Sequence, residues 1–341
     1  MSPYPRLFPD LLQTVAMTEL LLAKWCEPPE VDRLHLSTLV QQSMSVIAEL
    51  GGARADQLHA LLVTSGAFPA VDMTTFLPLL RSMGKADLIE QTPDGLLILG
   101  LRGETIVRSR DFYIAFVVPE EYRVLHQGRH IGNVTSTPDL ANDGYLILAG
   151  RRWKILQVDP DRKEILVEPS PGGRVPTFSG TAGQDIHPKV REMMRSLLLR
   201  DDMPVYLDPV ARGMLSNARA AAREADLGRR SFLQDGSDTI WFTWTGSRIE
   251  RTLAGLGCHA GGLDVQEEEI ALRFARVKED EIRETYRRFL QDRPDVLELA
   301  SQYPERAREK YERFLSDELQ SQVFASHCLD LDGAVQMIRS L

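Results

Sequence analysis

Residues 150–169 read GRRWKILQVDPDRKEILVEP. Two apolar-rich runs flank a Pro-Asp-Arg-Lys turn, which is the pattern of a β-hairpin. Strand alternation puts Trp153 and Ile155 on one face and Lys154 and Leu156 on the other. A tryptophan that shares its face with isoleucine reads as core. The same corner also has the groups to hold a nucleic-acid strand: Arg151 and Arg152 offer planar donors to phosphate, and an indole can stack on a splayed base for roughly 1–3 kcal/mol. Both readings stay open at this point.

Working outward, residues 112–186 contain six short runs, FYIAFVV, EYRVLH, HIGNV, YLILA, WKILQV and EILVEP, separated by Gly, Pro, Asn and Asp. That spacing predicts a small antiparallel β-barrel or a strongly bent sheet. The segment 171–185, PGGRVPTFSGTAGQD, reads as a loop.

Upstream, DLLQTVAMTELLLAKW at 10–25 has helical periodicity and stops at Pro28–Pro29. Further helices fit Leu36–Leu50, ending at Gly51–Gly52, Ala55–Thr64, and Met73–Met83, with Asp72 as N-cap and Gly84 as stop. ADLIEQTPDGLLILG then carries a Thr-Pro-Asp-Gly hairpin signal. Three helices and a hairpin are the order of a winged-helix domain, whose third helix can enter a groove.

Downstream, 188–200 and 209–225 read as helices, the second opened by Asp208–Pro209. TIWFTWT at 239–245 and EIALRFARV at 269–277 read as strands, and RIERTLAGLGCHAG, KEDEIRETYRRFLQD and the segment around 295–322 as helices. The expected fold is α+β. It comprises a winged-helix domain (1–110), a β-barrel-like strand region (111–186) and a helix-rich α+β region (187–341).

The 341 residues carry a formal charge of −9, which argues against a nonspecific basic coat. The balance is uneven: −4 over residues 1–118, +2 over 119–230 and −7 over 231–341. No run of 18 apolar residues occurs, no secretory signal is visible, and the three cysteines form no CxxC pair, so the cytoplasm is the expected compartment. GxxxxGK[ST], an acidic magnesium box, GxSxG and HExxH are all absent, so the residues present do not make an ATP-driven motor or a common hydrolase. His126 and His130 are four apart but lie in the strand-rich region, and exposed loop histidines are the simpler reading. Glu267–Glu269 reads as a solvated run.

Taken together, GRRWKILQVD, EILVEP and GGRVPTFSG resemble the accessory region of large helicase-related (Lhr-type) superfamily-two DEAD/DEAH-box helicases. DFYIAFVVPEEYRV with HIGNV fits the strand region just upstream in that family. YLDPVARGMLSNAR, WFTWTGSRIERTL and EKYERFLSDELQSQVFASHCLDLDGA follow in family order. The resemblance covers nearly the whole chain. It implies a winged helix plus a family-specific domain that follow two RecA-like motor domains. ATP and magnesium are then expected only in those motor domains, with no cofactor, metal or catalytic residue in this chain. The implied partners are single-stranded or forked nucleic acid, DNA or an RNA:DNA fork, and the RecA-like motor in cis or as a separate subunit. The implied role is in helicase action and DNA repair.

The candidate nucleic-acid-binding residues are Arg151, Arg152, Trp153, Trp244, Arg248, Arg81, Lys85 and Arg129. Trp244-Thr245-Gly246-Ser247-Arg248 ends a strand, where Gly246 permits a turn that exposes Arg248 and Ser247 can bond phosphate. Arg81 and Lys85 end the third helix of the winged-helix pattern, which Thr74 and Thr75 begin. Its wing, Thr92–Gly95, carries no cation. Arg129 and His130 lie in another turn. Two alternatives stand beside the accessory reading. One is a protein-interaction scaffold for a separate motor subunit, suggested by the acidic balance. The other is a base-acting repair enzyme, for which Asp185 and His187 are the pair to test.

Overall fold

The computed structural model describes residues 4–117, 121–135, 144–148, 151–160, 162–170 and 185–341. The chain is a mixed α+β fold in two compact units, one formed by Met1–Ala115 with Asp185–Leu341 and the other by Phe116–Gln184.

The first unit opens with α1 (Pro9–Leu22), α2 (Leu36–Leu50), α3 (Ala55–His59), which continues as a π turn over Ala60–Thr64, and α4 (Met73–Lys85). A hairpin of β1 (Ile89–Gln91) and β2 (Leu97–Leu99) follows, then α5 (Leu101–Arg108). The expected caps are in place. Asp72 accepts a hydrogen bond from the Thr75 amide at 2.8 Å, and Gly51 closes α2 at φ 75°, where glycine has no steric penalty. Ala53 makes a single antiparallel bridge to Leu97 beside the hairpin. α2 to α4 and the hairpin share one core, with Met44, Phe76 and Met83 fully buried, and Tyr311, Phe314 and Leu319 from the far end of the sequence complete it.

α1 does not join that core. Its apolar residues run around most of its circumference, and it packs Leu12, Val15, Ala16 and Leu20 with α6 (Pro188–Leu199) and α7 (Pro209–Glu224). α7 starts where expected, with Asp208 accepting from the Ala211 amide at 2.8 Å.

The second unit is a five-stranded sheet of β3 (Glu121–His126), β4 (Arg129–Thr135), β5 (Tyr145–Leu148), β6 (Arg151–Asp159) and β7 (Glu164–Pro169). The strand order is β4-β3-β7-β6-β5. All pairs are antiparallel except β3 with β7, a parallel pairing that hairpin signals cannot announce. The sheet is bent and, among the described residues, is not a closed barrel. A Cβ placed on Gly132 of edge strand β4 would lie 3.0 Å from the Leu148 side chain of edge strand β5, so the two edges approach without a ladder. The inner face buries Tyr122, Val124, Leu146, Trp153, Ile155, Ile165 and Val167.

FYIAFVV is not a strand. Arg110–Tyr113 form a 3₁₀ turn, and the chain is irregular to Val117, with Val118 outside the described residues. Side chains take carbonyls within it and just before it: Lys310 donates to Ile114 and to the preceding Asp111, and Gln41 to Phe112 at 2.6 Å. The loop expected at 171–185 lies outside the described residues except for Asp185.

The remaining elements are β8 (Phe232–Asp235), β9 (Asp238–Trp241), α8 (Ser247–Gly255), which continues as a π turn to Ala260, β10 (Val265–Glu267), β11 (Leu272–Phe274), α9 (Glu279–Arg288), α10 (Val296–Ser301), α11 (Asp317–Cys328) and α12 (Leu331–Arg339). A four-stranded antiparallel sheet, β10-β11-β9-β8, sits between two cores. Ile240 and Phe242 face the α1, α6, α7 side, and Trp241, Leu272 and Phe274 face the α8 to α12 side. The strands expected over 239–245 and 269–277 are thus shorter than the apolar runs that predict them. The first leaves its ladder before Trp244, whose backbone turns left-handed at φ 53°.

Candidate nucleic-acid interface

In the second unit the register decides what each side chain faces. Leu146 pairs with Trp153 and Ile155 with Val167, all on the inner face. Trp153 is 7% exposed, donates Nε1–H to the Leu148 carbonyl at 3.3 Å, and lies 5.1 Å from the His126 ring. It therefore belongs to the core. Arg151 shares its parity but lies at the strand end, where it is exposed, while Arg152 falls on the opposite, outward face and is half-buried. The two arginines thus diverge. Arg129 is exposed at the start of β4, beside the turn through Gln127 and Gly128.

The outward face also holds Arg123, Leu125, Lys154, Leu166 and Tyr145, placed by the pairs Tyr145 with Lys154 and Leu125 with Leu166. Sequence reading assigned no role to Tyr145, Arg123 or Lys154. Their period-2 alternation with buried neighbours is the signal that locates them. His126 Nδ1 lies 3.0 Å from the Val167 carbonyl, and His130 Nε2 lies 2.8 Å from Asn133 Oδ1. Among the described residues no cluster of His, Cys, Asp and Glu is built to hold a metal ion.

In the first unit, Arg81 and Lys85 are both exposed on the last turns of α4. The Trp244–Arg248 corner is used otherwise. Trp244 is buried, stacks at 5.8 Å on Phe242, and keeps its Nε1–H without an acceptor among the described residues. Arg248 donates Nη2–H to the carbonyls of Ser326 and Leu329 at 2.9 and 2.6 Å, and its Nη1 lies 3.6 Å from Glu30. Ser247 exchanges hydrogen bonds with Ile186, and Arg251 clamps Asp185 through both carboxylate oxygens, the nearer at 2.6 Å. A Cβ on Gly246 would meet the Pro188 ring at 2.7 Å, so only glycine lets the two segments touch. This corner fastens the 185–188 segment to α8 and α11. A cavity of about 210 Å³ remains there, lined by Glu30, Arg33, His187 and Arg248 among others.

The Asp185–His187 pair has no catalytic geometry. Asp185 is held by Arg251, and His187 caps α6 by accepting from the Lys189 amide at 3.0 Å, with Trp25 against its ring. In the Glu267–Glu269 run the outer two residues are exposed, as expected of a solvated run, although desolvation raises both carboxyls, and the half-buried Glu268 pairs with Arg273. Two more groups are perturbed. Burial pushes Glu250 up to about 7 against the opposing pull of Arg191 and Thr243, and burial lowers His327 to about 4, helped by His35 and Arg33. Among the described residues no helix is long and apolar enough to cross a membrane.

The fold is one shared with part of a helicase. The chain superposes on the structure of the Mycobacterium smegmatis helicase Lhr bound to ssDNA and AMP-PNP with a TM-score of 0.51 and 13% identity, over 97% of this chain and 48% of that one. The chain thus spans about half the length of that helicase, and at this identity the likeness is one of fold. No protein-family model matches the sequence, and no curated protein does.

Proposed function

We propose that the chain is a nucleic-acid-binding accessory region of an Lhr-type helicase, a winged helix (residues 36–99) and a family-specific domain that grip a single strand or fork for RecA-like motor domains. The observation that carries this reading is the likeness of nearly the whole chain to half of a helicase whose structure holds ssDNA. The charge distribution supports it. Residues 116–184 carry 8 basic and 8 acidic residues, so the full −9 falls on the rest of the chain. The second unit is therefore where a polyanion meets the least repulsion.

Mechanistically, cations such as Arg151 and Arg129 track the phosphates while apolar and aromatic groups meet the bases. Pulling by a motor then becomes strand separation. The motor would supply ATP and magnesium, and this chain's share is grip and register. Anisotropy titrations with single-stranded DNA, forked DNA and an RNA:DNA fork, at two salt concentrations, test the reading. Saturable binding that weakens with salt is expected; no binding at low salt overturns it. A second reading, a scaffold that docks a separate motor, is supported by the −9 charge of the first unit and by Met17, Leu21 and Leu22, which stand exposed on α1. Co-purification with a RecA-type polypeptide in the absence of nucleic-acid affinity would favour it.

A further inference from the structure

We propose that Arg129 and Arg151 form one phosphate clamp, at the end of the five-stranded sheet where β3 passes to β4 and β5 to β6, and that it holds the backbone of a single strand. The proposal rests on the nucleic-acid reading above and names its phosphate-binding point.

Strand order brings the two arginines to one end. β3 and β5 run toward that end, and β4 and β6 run away from it, so the first residues of β4 and β6, Arg129 and Arg151, share it. Register then gives them one face. Arg129 lies directly across from His126, whose ring is 5.1 Å from that of Trp153. Trp153 shares its face with Arg151, two residues or about 7 Å along β6. The arginines therefore flank the His126–Trp153 ring pair. The sheet's two edges also approach here: a Cβ on Gly132 would lie 3.0 Å from the side chain of Leu148, the register partner of Arg151. Gln127 at φ 48° and Gly128 at φ 74° make the tight two-residue turn that delivers Arg129.

Both arginines are exposed, and among the described residues neither side chain has a hydrogen bond or an ion pair. The described carboxylates of this unit lie elsewhere. Glu121, Asp159 and Glu164 are at the opposite end, where Glu164 meets Arg123 at 3.3 Å and Asp159 lies 3.9 Å from Arg162. Glu168 is on the outward face, across from Lys154. The inner rim at the turn end thus carries two guanidiniums and, among the described residues, no carboxylate. Each guanidinium is a planar fork of donors that fits phosphate bidentately.

The full chain should be titrated at low and moderate salt with a fluorescein-labelled oligothymidylate and with the same oligomer carrying neutral methylphosphonate linkages. The proteins are wild type, Arg129→Ala, Arg151→Ala, the double variant and Arg162→Ala. Each single loss at the clamp should weaken Kd for the charged oligomer on the order of tenfold. The double variant should lose less than the product of the two, because both arginines act on one phosphate. It should flatten the dependence of log affinity on log salt by about 0.7, one single-strand phosphate contact. Arg162→Ala makes the same charge change at the opposite end and should stay within about twofold, since screening confines each contact to its own end. On the methylphosphonate oligomer the double variant should match the wild type. If the wild type binds but the double variant binds as tightly, or the slope changes by about 1.4 as for two separate phosphates, or Arg162→Ala weakens binding equally, or the double variant is equally weakened on the neutral oligomer, the clamp is overturned and the accessory reading stands. If the wild type does not bind, both fall.

Discussion

Replacing Trp153 with alanine separates the two roles that its sequence context allows. The side chain is 93% buried, in a core with seven buried apolar residues among the described ones. A tryptophan buries about 200 Å², worth about 5 kcal/mol at 25 cal/mol per Å², and this is an upper bound. Measured truncations of buried tryptophan to alanine cost about 3–5 kcal/mol. Loss of the hydrogen bond to the Leu148 carbonyl, 3.3 Å long, is part of that cost. A sheet this small has little stability to spare, so Trp153→Ala is expected to open the second unit. Hydrogen exchange read by mass spectrometry follows it directly. Peptides from β3, β6 and β7 should lose protection by about two to four orders of magnitude, since each 1.36 kcal/mol is tenfold. Peptides from α8 and α9 serve as the internal reference. Trp153→Phe keeps a ring against His126 and should lose no more than about one order. If the alanine variant keeps wild-type protection throughout the sheet but binds single strands tenfold more weakly, the core assignment is wrong and Trp153 stacks on a base.

Four further outcomes follow from the first unit. The folded chain holds a proton on Glu250 up to about pH 7, whereas an unfolded glutamate releases it near 4.5, so stability falls as pH rises from 4.5 through 7; Glu250→Gln should remove a loss on the order of 3 kcal/mol between pH 5 and pH 8 in urea unfolding. His327 has the opposite sign: its lowered value of about 4 against the usual 6.5 means stability is lost as pH falls from 6.5 through 4, and His327→Gln should flatten that limb. Arg251→Ala strands the Asp185 carboxylate, which is 27% exposed, and should cost about 2–4 kcal/mol in urea unfolding while leaving single-strand affinity at the wild-type value. Gly246→Ala brings a methyl within 2.8 Å of the Ile186 carbonyl and should cost about 1–3 kcal/mol, read as a lowered urea midpoint; a wild-type midpoint would refute the close approach.

What was legible in the sequence was what local physics decides. α2 runs over Leu36–Leu50 as its periodicity predicts, and α7 starts where Asp208 and Pro209 announce it, because caps and hydrophobic spacing act within a turn or two. The strand alternation around Trp153 was equally local. What was not legible depends on partners far away in the chain. Arg248 looks like an exposed phosphate ligand beside a flexible glycine, yet its donors are taken by carbonyls 78 and 81 residues further on. FYIAFVV has strand composition, but a lysine almost 200 residues away takes the carbonyl of Ile114 within it and of Asp111 just before it. α1 carries apolar residues on most sides, so nothing in its pattern says which core it joins.

The same division explains why Tyr145 escaped notice while the Arg-Arg-Trp corner drew attention. A cluster of cations next to an indole is conspicuous along the chain, but adjacent residues in a strand point to opposite faces, so Arg151 and Arg152 cannot act as one phosphate clamp. A surface built by a sheet is assembled across strands instead. Lys154 and Tyr145 are nine positions apart in sequence and directly opposite in register. Contacts of that kind are set by strand register, so a reading that follows the chain one residue at a time cannot see them, whereas caps and helical periodicity act between residues that are close along it.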